Sequence, residues 1–384
     1  MSELVNARES RTSFQRGLLT TASVVALLGF SYGTGEASDD GSRPTVWIEL
    51  GGQLSRLDNG QDKFSAPIME RDRPSIFSPS QDFEKQPLYS FDETGKLTFE
   101  PAGSDWIFSA SVRYGRSSNN KDTRQKTNPK PAVKYLTSSG GQSARYAWYP
   151  IASRFADTTI RNDESHLVVD FQVGKDVGLG MFGKGSSSVF NFGIRFAQFS
   201  TRSNIALKSD PDWKFSYKYI SSDLKITQQA FHTNRADLTA ERSFHGVGPS
   251  LSWNGSVPFV GDTNDGEILF DGGLNAAILF GRQRAKIHHQ TSGQYRPPVI
   301  HSSPGPRYVT YQPPPIDHAR VRTVAVPNVG GFAGITYRLD NFKASAGYRA
   351  DFFFGAMDGG VDAHKSYDRD FYGPFATVSI GLGG

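Results

Sequence analysis

Residues 329–354 (VGGFAGITYRLDNFKASAGYRADFFF) alternate in polarity on both sides of one turn dipeptide, Asp340-Asn341. No other stretch constrains the chain as much. Successive side chains of a strand point to opposite faces of a sheet, so period two predicts a hairpin of two strands. In the first strand Val329, Ala333, Ile335, Tyr337 and Leu339 share one face, and Asn328, Gly330, Gly334, Thr336 and Arg338 share the other. In the second, Phe342, Ala344, Ala346, Tyr348, Ala350, Phe352 and Phe354 alternate with Lys343, Ser345, Gly347, Arg349 and Asp351. One face is apolar and aromatic, the other small, polar and charged. A soluble sandwich alternates too, so recurrence along the chain has to decide the architecture.

The pattern does recur. Strands are predicted over 45–57, 96–100, 106–116, 166–177, 189–203, 244–256, 268–282 and 371–383, with a further hairpin conceded to 213–231. That makes about ten strands, or twelve with the extra hairpin, each near the ~9–11 residues that cross a bilayer at a tilt. Their connections alternate in length. The long ones are 58–86, 117–164, 204–241, 286–324 and 355–369; the short ones lie near Gly103, 178–187, 257–266 and Asp340. This parity belongs to up-and-down transmembrane barrels, with long extracellular loops at one end and short periplasmic turns at the other. A lipid-exposed sheet has no water to satisfy its edges, so it must close on itself. The expected fold is therefore all-β, an antiparallel transmembrane barrel.

Composition agrees. Only 37% of the 384 residues are hydrophobic, while Gly numbers 40 and aromatics reach 12%. A packed globular core of this size wants more apolar mass, whereas a barrel with a polar interior needs only a lipid belt. The absence of cysteine rules out a disulfide frame and thiol chemistry. A net charge of +4 without a dense Lys/Arg block among stacking aromatics argues against nucleic-acid binding. Residues 1–37 read as a secretory signal: Arg11 and Arg16 precede an apolar run, 17–30, too short to span a bilayer, and Gly35-Glu36-Ala37 offers small residues for cleavage. Residues 38–384 then form one barrel domain.

Several blocks resemble the Legionella-type pore-forming outer-membrane proteins, a family of porin-like major surface barrels. They are 104–117 (SDWIFSASVRYGRS), 166–180 (HLVVDFQVGKDVGLG), 244–253 (FHGVGPSLSW), 329–338 (VGGFAGITYR) and 346–360 (AGYRADFFFGAMDGG). The resemblance implies an integral barrel of the cell outer membrane that forms a pore, and supplies no catalytic residues. Where many such barrels end in an aromatic residue used by the assembly machinery, this chain ends Ile380-Gly-Leu-Gly-Gly384.

Candidate chemical sites read as bland. The GxGxxG at 178–183 lies between strands, where a dinucleotide site needs a strand and then a helix, so a turn is expected. Residues 262–267 (DTNDGE) place Glu267 where a calcium loop needs its glycine. Asn254-Gly-Ser256 matches a glycosylation sequon by chance. His288, His289, His301 and His318 share a predicted loop with Asp317, a composition that suits metal binding or an Asp–His pair. No second catalytic pair accompanies them. No catalytic, cofactor or metal residue is therefore assigned, and the chain is not expected to be an enzyme.

The interior is more informative. Arg113, Arg195, Arg338, Lys343 and Arg349 fall on small-residue faces, together with Glu49, Asp170, Asp271 and Asp351. A charge in lipid costs ~2–4 kcal/mol at the midplane, so these nine should face the lumen. They form either a salt-bridged plug or a constriction that selects by charge; in an open pore their one-charge basic excess would give weak anion preference. The expected function is passive passage of ions or small polar solutes. The alternatives are a surface adhesin or structural barrel working through its loops, and a membrane hydrolase. Expected partners are outer-membrane lipid, the permeating solutes and the assembly machinery; oligomeric state is left open.

Overall fold

The computed structural model describes residues 45–58, 88–127, 133–137, 143–149, 154–177, 187–209, 213–218, 225–262, 265–295, 309–312, 314–361 and 363–382. The predicted signal at 1–37, the GxGxxG segment and His301 lie outside them. The described chain contains strands β1 (Thr45–Asp58), β2 (Leu88–Glu100), β3 (Trp106–Thr127), β4 (Val133–Thr137), β5 (Ser143–Tyr149), β6 (Arg154–Asp176) and β7 (Ser187–Ser209). It continues with β8 (Trp213–Lys218), β9 (Lys225–Asp262), β10 (Gly266–Tyr295), β11 (Val309–Tyr311), β12 (Ile316–Leu339), β13 (Phe342–Asp358) and β14 (Ser366–Leu382).

Ten strands form the wall, in the ring order β1-β2-β3-β6-β7-β9-β10-β12-β13-β14 and antiparallel throughout. β14 pairs back onto β1 from Val46↔Leu382 to Asp58↔Asp370, which closes the sheet. The 213–231 hairpin settles the strand count. β8 pairs with the start of β9 and with β5, above the wall rather than in it, so the barrel has ten staves and not twelve. β12 and β13 meet at Asp340-Asn341 as expected, with Asp340 at φ 47° closing the two-residue turn.

The faces invert the usual globular order. Leu274 is 64% exposed and Leu251 65%, while Asp351 and Arg195 are buried. Outward side chains such as Phe192, Leu251, Phe270, Leu274, Ile335, Tyr348 and Ile380 form a continuous apolar belt. An exposed patch of that extent is unfavourable in water and is satisfied by lipid. Ala346 lies in this belt and its neighbour Ser345 lines the interior. Ala346→Arg is expected to lower insertion stability by about 2–4 kcal/mol, and Ser345→Arg by less, in urea titrations of protein folded into vesicles. Equal losses at the two positions would refute the face assignment.

The sequence reading placed the long connections too close to the belt. Residues 117–127 and 154–164 are paired extensions of β3 and β6, and 286–295 and 316–324 extend β10 and β12. β9 runs for 38 residues and β10 for 30, against the roughly 9–11 that a bilayer requires. An outer face rich in charge and an inner face that mixes polar residues with Ile160, Ala285 and Ile287 hide these extensions from periodicity, while ladder pairing still gives their backbone N–H and C=O groups partners. The wall therefore stands well clear of the belt at the long-connection end.

Candidate functional site

Inward residues divide the bore into layers. At the short-turn end it opens into a cavity of about 390 Å³. Four acidic side chains, Glu49, Glu100, Glu267 and Asp271, and four basic ones, Lys96, Arg338, Lys343 and Arg349, line it. Arg338 Nη1 donates to Glu267 Oε1 at 3.4 Å, and Thr336 donates to Asp271. Lys343 stands over the Trp47 ring at 3.9 Å, and Arg349 lies between Phe332 and Phe375 at 5.6 and 5.2 Å. Cations held against aromatic faces keep their charge within reach of solute without needing a carboxylate partner.

The next layer crosses the bore. Arg195 donates from Nε and Nη2 to Asp170 at 2.7 and 3.1 Å, and from Nη1 to Asn275 Oδ1 at 2.6 Å and to Asn328 Oδ1. Asn275 Nδ2 donates to Asp351 Oδ1 at 3.2 Å, and Arg113 Nη1 donates to Asp351 Oδ2 at 2.6 Å. β3 and β13 stand nearly opposite one another in the ring, so Arg113 and Asp351 bridge the lumen. Gly330 makes room for this network: a Cβ there would overlap the Asp351 carboxylate and approach Asn275 Nδ2 at 2.8 Å.

Above the charges lies an aromatic layer. Phe199, Phe244, Phe353, Phe371, Leu57, Leu279 and Met357 are all fully buried and all point inward. Phe371 is its hub: ring centroids of His166, Phe199 and Phe353 lie 4.2, 5.5 and 6.0 Å away, and the Arg113 and Arg369 guanidiniums sit at 5.9 and 5.5 Å. A second cross-lumen ion pair, Arg369–Glu164 at 2.5 Å, is buried on both sides. Beside it Ser55 and Ser90 each donate to Asp92 at 2.5 Å, and His166 Nε2 lies 3.2 Å from the same carboxylate. Among the described residues, the middle of the bore is thus occupied by paired charge and packed aromatics.

The connection between β13 and β14 folds inward over this filling. Arg320 donates to Asp358 Oδ2 at 2.8 Å, to Val361 O at 2.9 Å and to Gly360 O at 2.7 Å. Gln283 donates to Gly355 O at 2.5 Å and Arg242 to Gly359 O at 3.4 Å. Asp358 Oδ1 accepts from the backbone N–H groups of Gly360 and Lys365 at 3.0 and 3.1 Å. Burial alone would raise the Asp358 carboxyl, but these hydrogen bonds and the Arg320 charge outweigh it and hold the group below its ordinary range. A lowered folded-state value means the contribution is present above the free carboxylate's value near 3.9 and is lost as pH falls through the depressed one. An environment-sensitive fluorophore on Ala363→Cys should report no movement between neutrality and about pH 4, and release only in stronger acid. Adding Asp358→Asn should give the released signal already at neutral pH. A transition near pH 6 in the parent would assign the restraint to some other group.

No protein-family model and no curated protein matches the chain. Solved structures do. The transport unit of the autotransporter AIDA-I from Escherichia coli aligns over 95% of this chain and 97% of that one, at 8% identity and a TM-score of 0.17. A deletion mutant of the TodX monoaromatic hydrocarbon channel aligns over 89% and 91%, at 12% identity and a TM-score of 0.18. The Pseudomonas putida toluene transporter TodX aligns over 90% of each chain at 11% identity, with a TM-score of 0.14. Superpositions this loose bear on neither mechanism nor substrate, and the fold rests on the closed sheet described above.

All nine charges named from the sequence point inward. Glu49, Asp271, Arg338, Lys343 and Arg349 line the cavity, and Arg113, Arg195, Asp170 and Asp351 form the cross-lumen layer. The sequence reading missed Lys96, Glu100 and Glu267, which bring the cavity to equal numbers of each sign and remove the basis for anion preference. It also missed the aromatic layer. The run Phe352-Phe353-Phe354 carried that signal, because consecutive phenylalanines in a strand cannot all face lipid. His288 and His289 lie on β10 and His318 on β12, so these three do not share a loop. His288 and Asp317 are cross-strand partners on the outer face, 2.8 Å apart and exposed, while Ile287 and not His288 faces the interior. Glu267 reaches inward to Arg338 rather than into a calcium loop.

Proposed function

We propose that this protein is an outer-membrane barrel, exported by its N-terminal signal and inserted by the assembly machinery, that passes ions or small polar solutes through a bore closed at rest. The observation that carries the reading is the charged cavity, which runs from the short-turn mouth to a cross-lumen layer of Asp170, Arg195, Asn275, Asp351 and Arg113 inside a lipid-facing belt. A polar path that ends on hydrogen-bonded side chains can be completed by their displacement, whereas an apolar core through the whole bore could not. The likeness of the strand blocks to Legionella-type pore-forming barrels supports the same reading. No reaction is assigned to the chain.

Planar-bilayer recording of the purified protein tests the proposal. The expected record is a low baseline with rare, brief openings of small conductance, and a reversal potential with little anion or cation preference. Permanent, large openings would refute the resting plug. The second reading, a surface adhesin or structural barrel, draws on the wall that stands above the belt. Complete silence under all potentials, together with binding of cells to a surface coated with the protein, would favour it instead.

A further inference from the structure

Where the belt ends on the outer face of β10, charge begins abruptly. Ile278 and Phe280 are 50% and 58% exposed, and the next outward residues are Arg282, Arg284 and Lys286, all exposed. Alternate residues of a strand lie about 7 Å apart on one face, so the three cations form a short vertical row. Their neighbours do not neutralise them. Arg282 is flanked by His245 on β9 and Thr323 on β12, and Arg284 by Ser243 and Val321. Lys286 lies beside Ala319 and Glu241, and Glu241 is engaged by Arg202 at 3.6 Å. Among the described residues no ion pair involves any of the three. The opposite rim differs: Lys175 is paired with Asp105 at 4.0 Å, and Asp340 occupies the turn there.

We propose that Arg282, Arg284 and Lys286 bind the phosphate groups of a phosphorylated lipid headgroup in the leaflet at the long-connection end, its acyl chains lying on Phe280 and Ile278. Such a molecule presents anionic oxygens directly above hydrocarbon, and the row presents donors directly above an apolar belt. Guanidinium groups suit it because their forked N–H donors meet phosphate oxygens in pairs. A soluble anion could use the cations but would gain nothing from the belt. The site is independent of the bore and stands whether or not the barrel conducts.

The test measures binding of bisphosphorylated lipid A to the detergent-solubilised protein by native mass spectrometry. Each cation near an anionic surface contributes roughly fivefold, so Arg282→Ser/Arg284→Ser/Lys286→Ser should weaken binding on the order of 100-fold, and added salt should weaken the parent. Lys175→Ser, at the opposite rim, should bind like the parent. Dephosphorylated lipid A and inorganic phosphate should each bind the parent no better than lipid A binds the triple variant. Equal lipid A binding by parent and triple variant overturns the proposal, and so does inorganic phosphate binding as tightly as lipid A. Heat-modifiable mobility checks folding, and Arg284→Ser alone, expected to lose roughly fivefold, replaces the triple variant if that fails to fold.

Discussion

Phe199→Ala combined with Phe371→Ala is expected to turn a nearly silent barrel into one that conducts for most of the recording. Phe371 touches Phe199, Phe353 and His166 and supports the Arg113 and Arg369 guanidiniums, so its ring braces both the aromatic layer and the charges on either side of it. Removing both rings leaves a void that water can enter from the cavity below, and a wetted Arg113–Asp351 bridge is far weaker than a dry one. Each Phe→Ala in a packed interior costs about 3–5 kcal/mol, so folding must be verified alongside conductance. Ile194→Ala, on the lipid face of the same strand as Phe199, is the control and should leave the baseline silent. A double variant that folds and stays silent would show that the bore is no path, and would shift attention to the raised wall.

The second large effect is on stability. Arg369→Met should destabilise the barrel by about 3–5 kcal/mol, because the buried Glu164 carboxyl then loses its ion-pair partner. Arg369→Met/Glu164→Gln should recover much of that loss, since no net charge remains buried. Urea unfolding in vesicles, followed by tryptophan fluorescence, gives both values. If the single variant loses less than about 1 kcal/mol, the pair is hydrated and behaves like a surface bridge.

The sequence made the wall legible because a strand with lipid on one side and a polar lumen on the other must alternate. The 329–354 hairpin, the closing strand and the inward set of nine charges all follow from that rule. Past the lipid belt the outer face turns polar and the inner face mixes Thr158 and Asn162 with Ile160, so no alternation survives, which is why 117–127, 154–164 and 286–295 read as loops although their backbones are paired and Ile160 and Ile287 are buried inside. The filling of the bore was half visible. Arg195 and Asp351 announce themselves as charges that lipid forbids, but an inward phenylalanine breaks no alternation unless, like Phe353, it sits between two outward ones. The inward fold of the β13–β14 connection had no sequence signature at all. Arg320, Gln283 and Arg242 reach it from three different strands, and only the closed ring brings them together.

The pairing of β1 with β14 sets the order of events during biogenesis. Val46 finds Leu382 only after almost the whole chain has been made, so an emerging N-terminal portion ends in an open edge whichever strands it already holds. An open edge is a template for pairing with another chain. The unfinished polypeptide must therefore be kept apart from its copies until the last stave arrives. A truncation that removes β14 would yield an aggregating species, where a circular permutant that joins the ends and opens the 210–212 connection would retain every wall pairing.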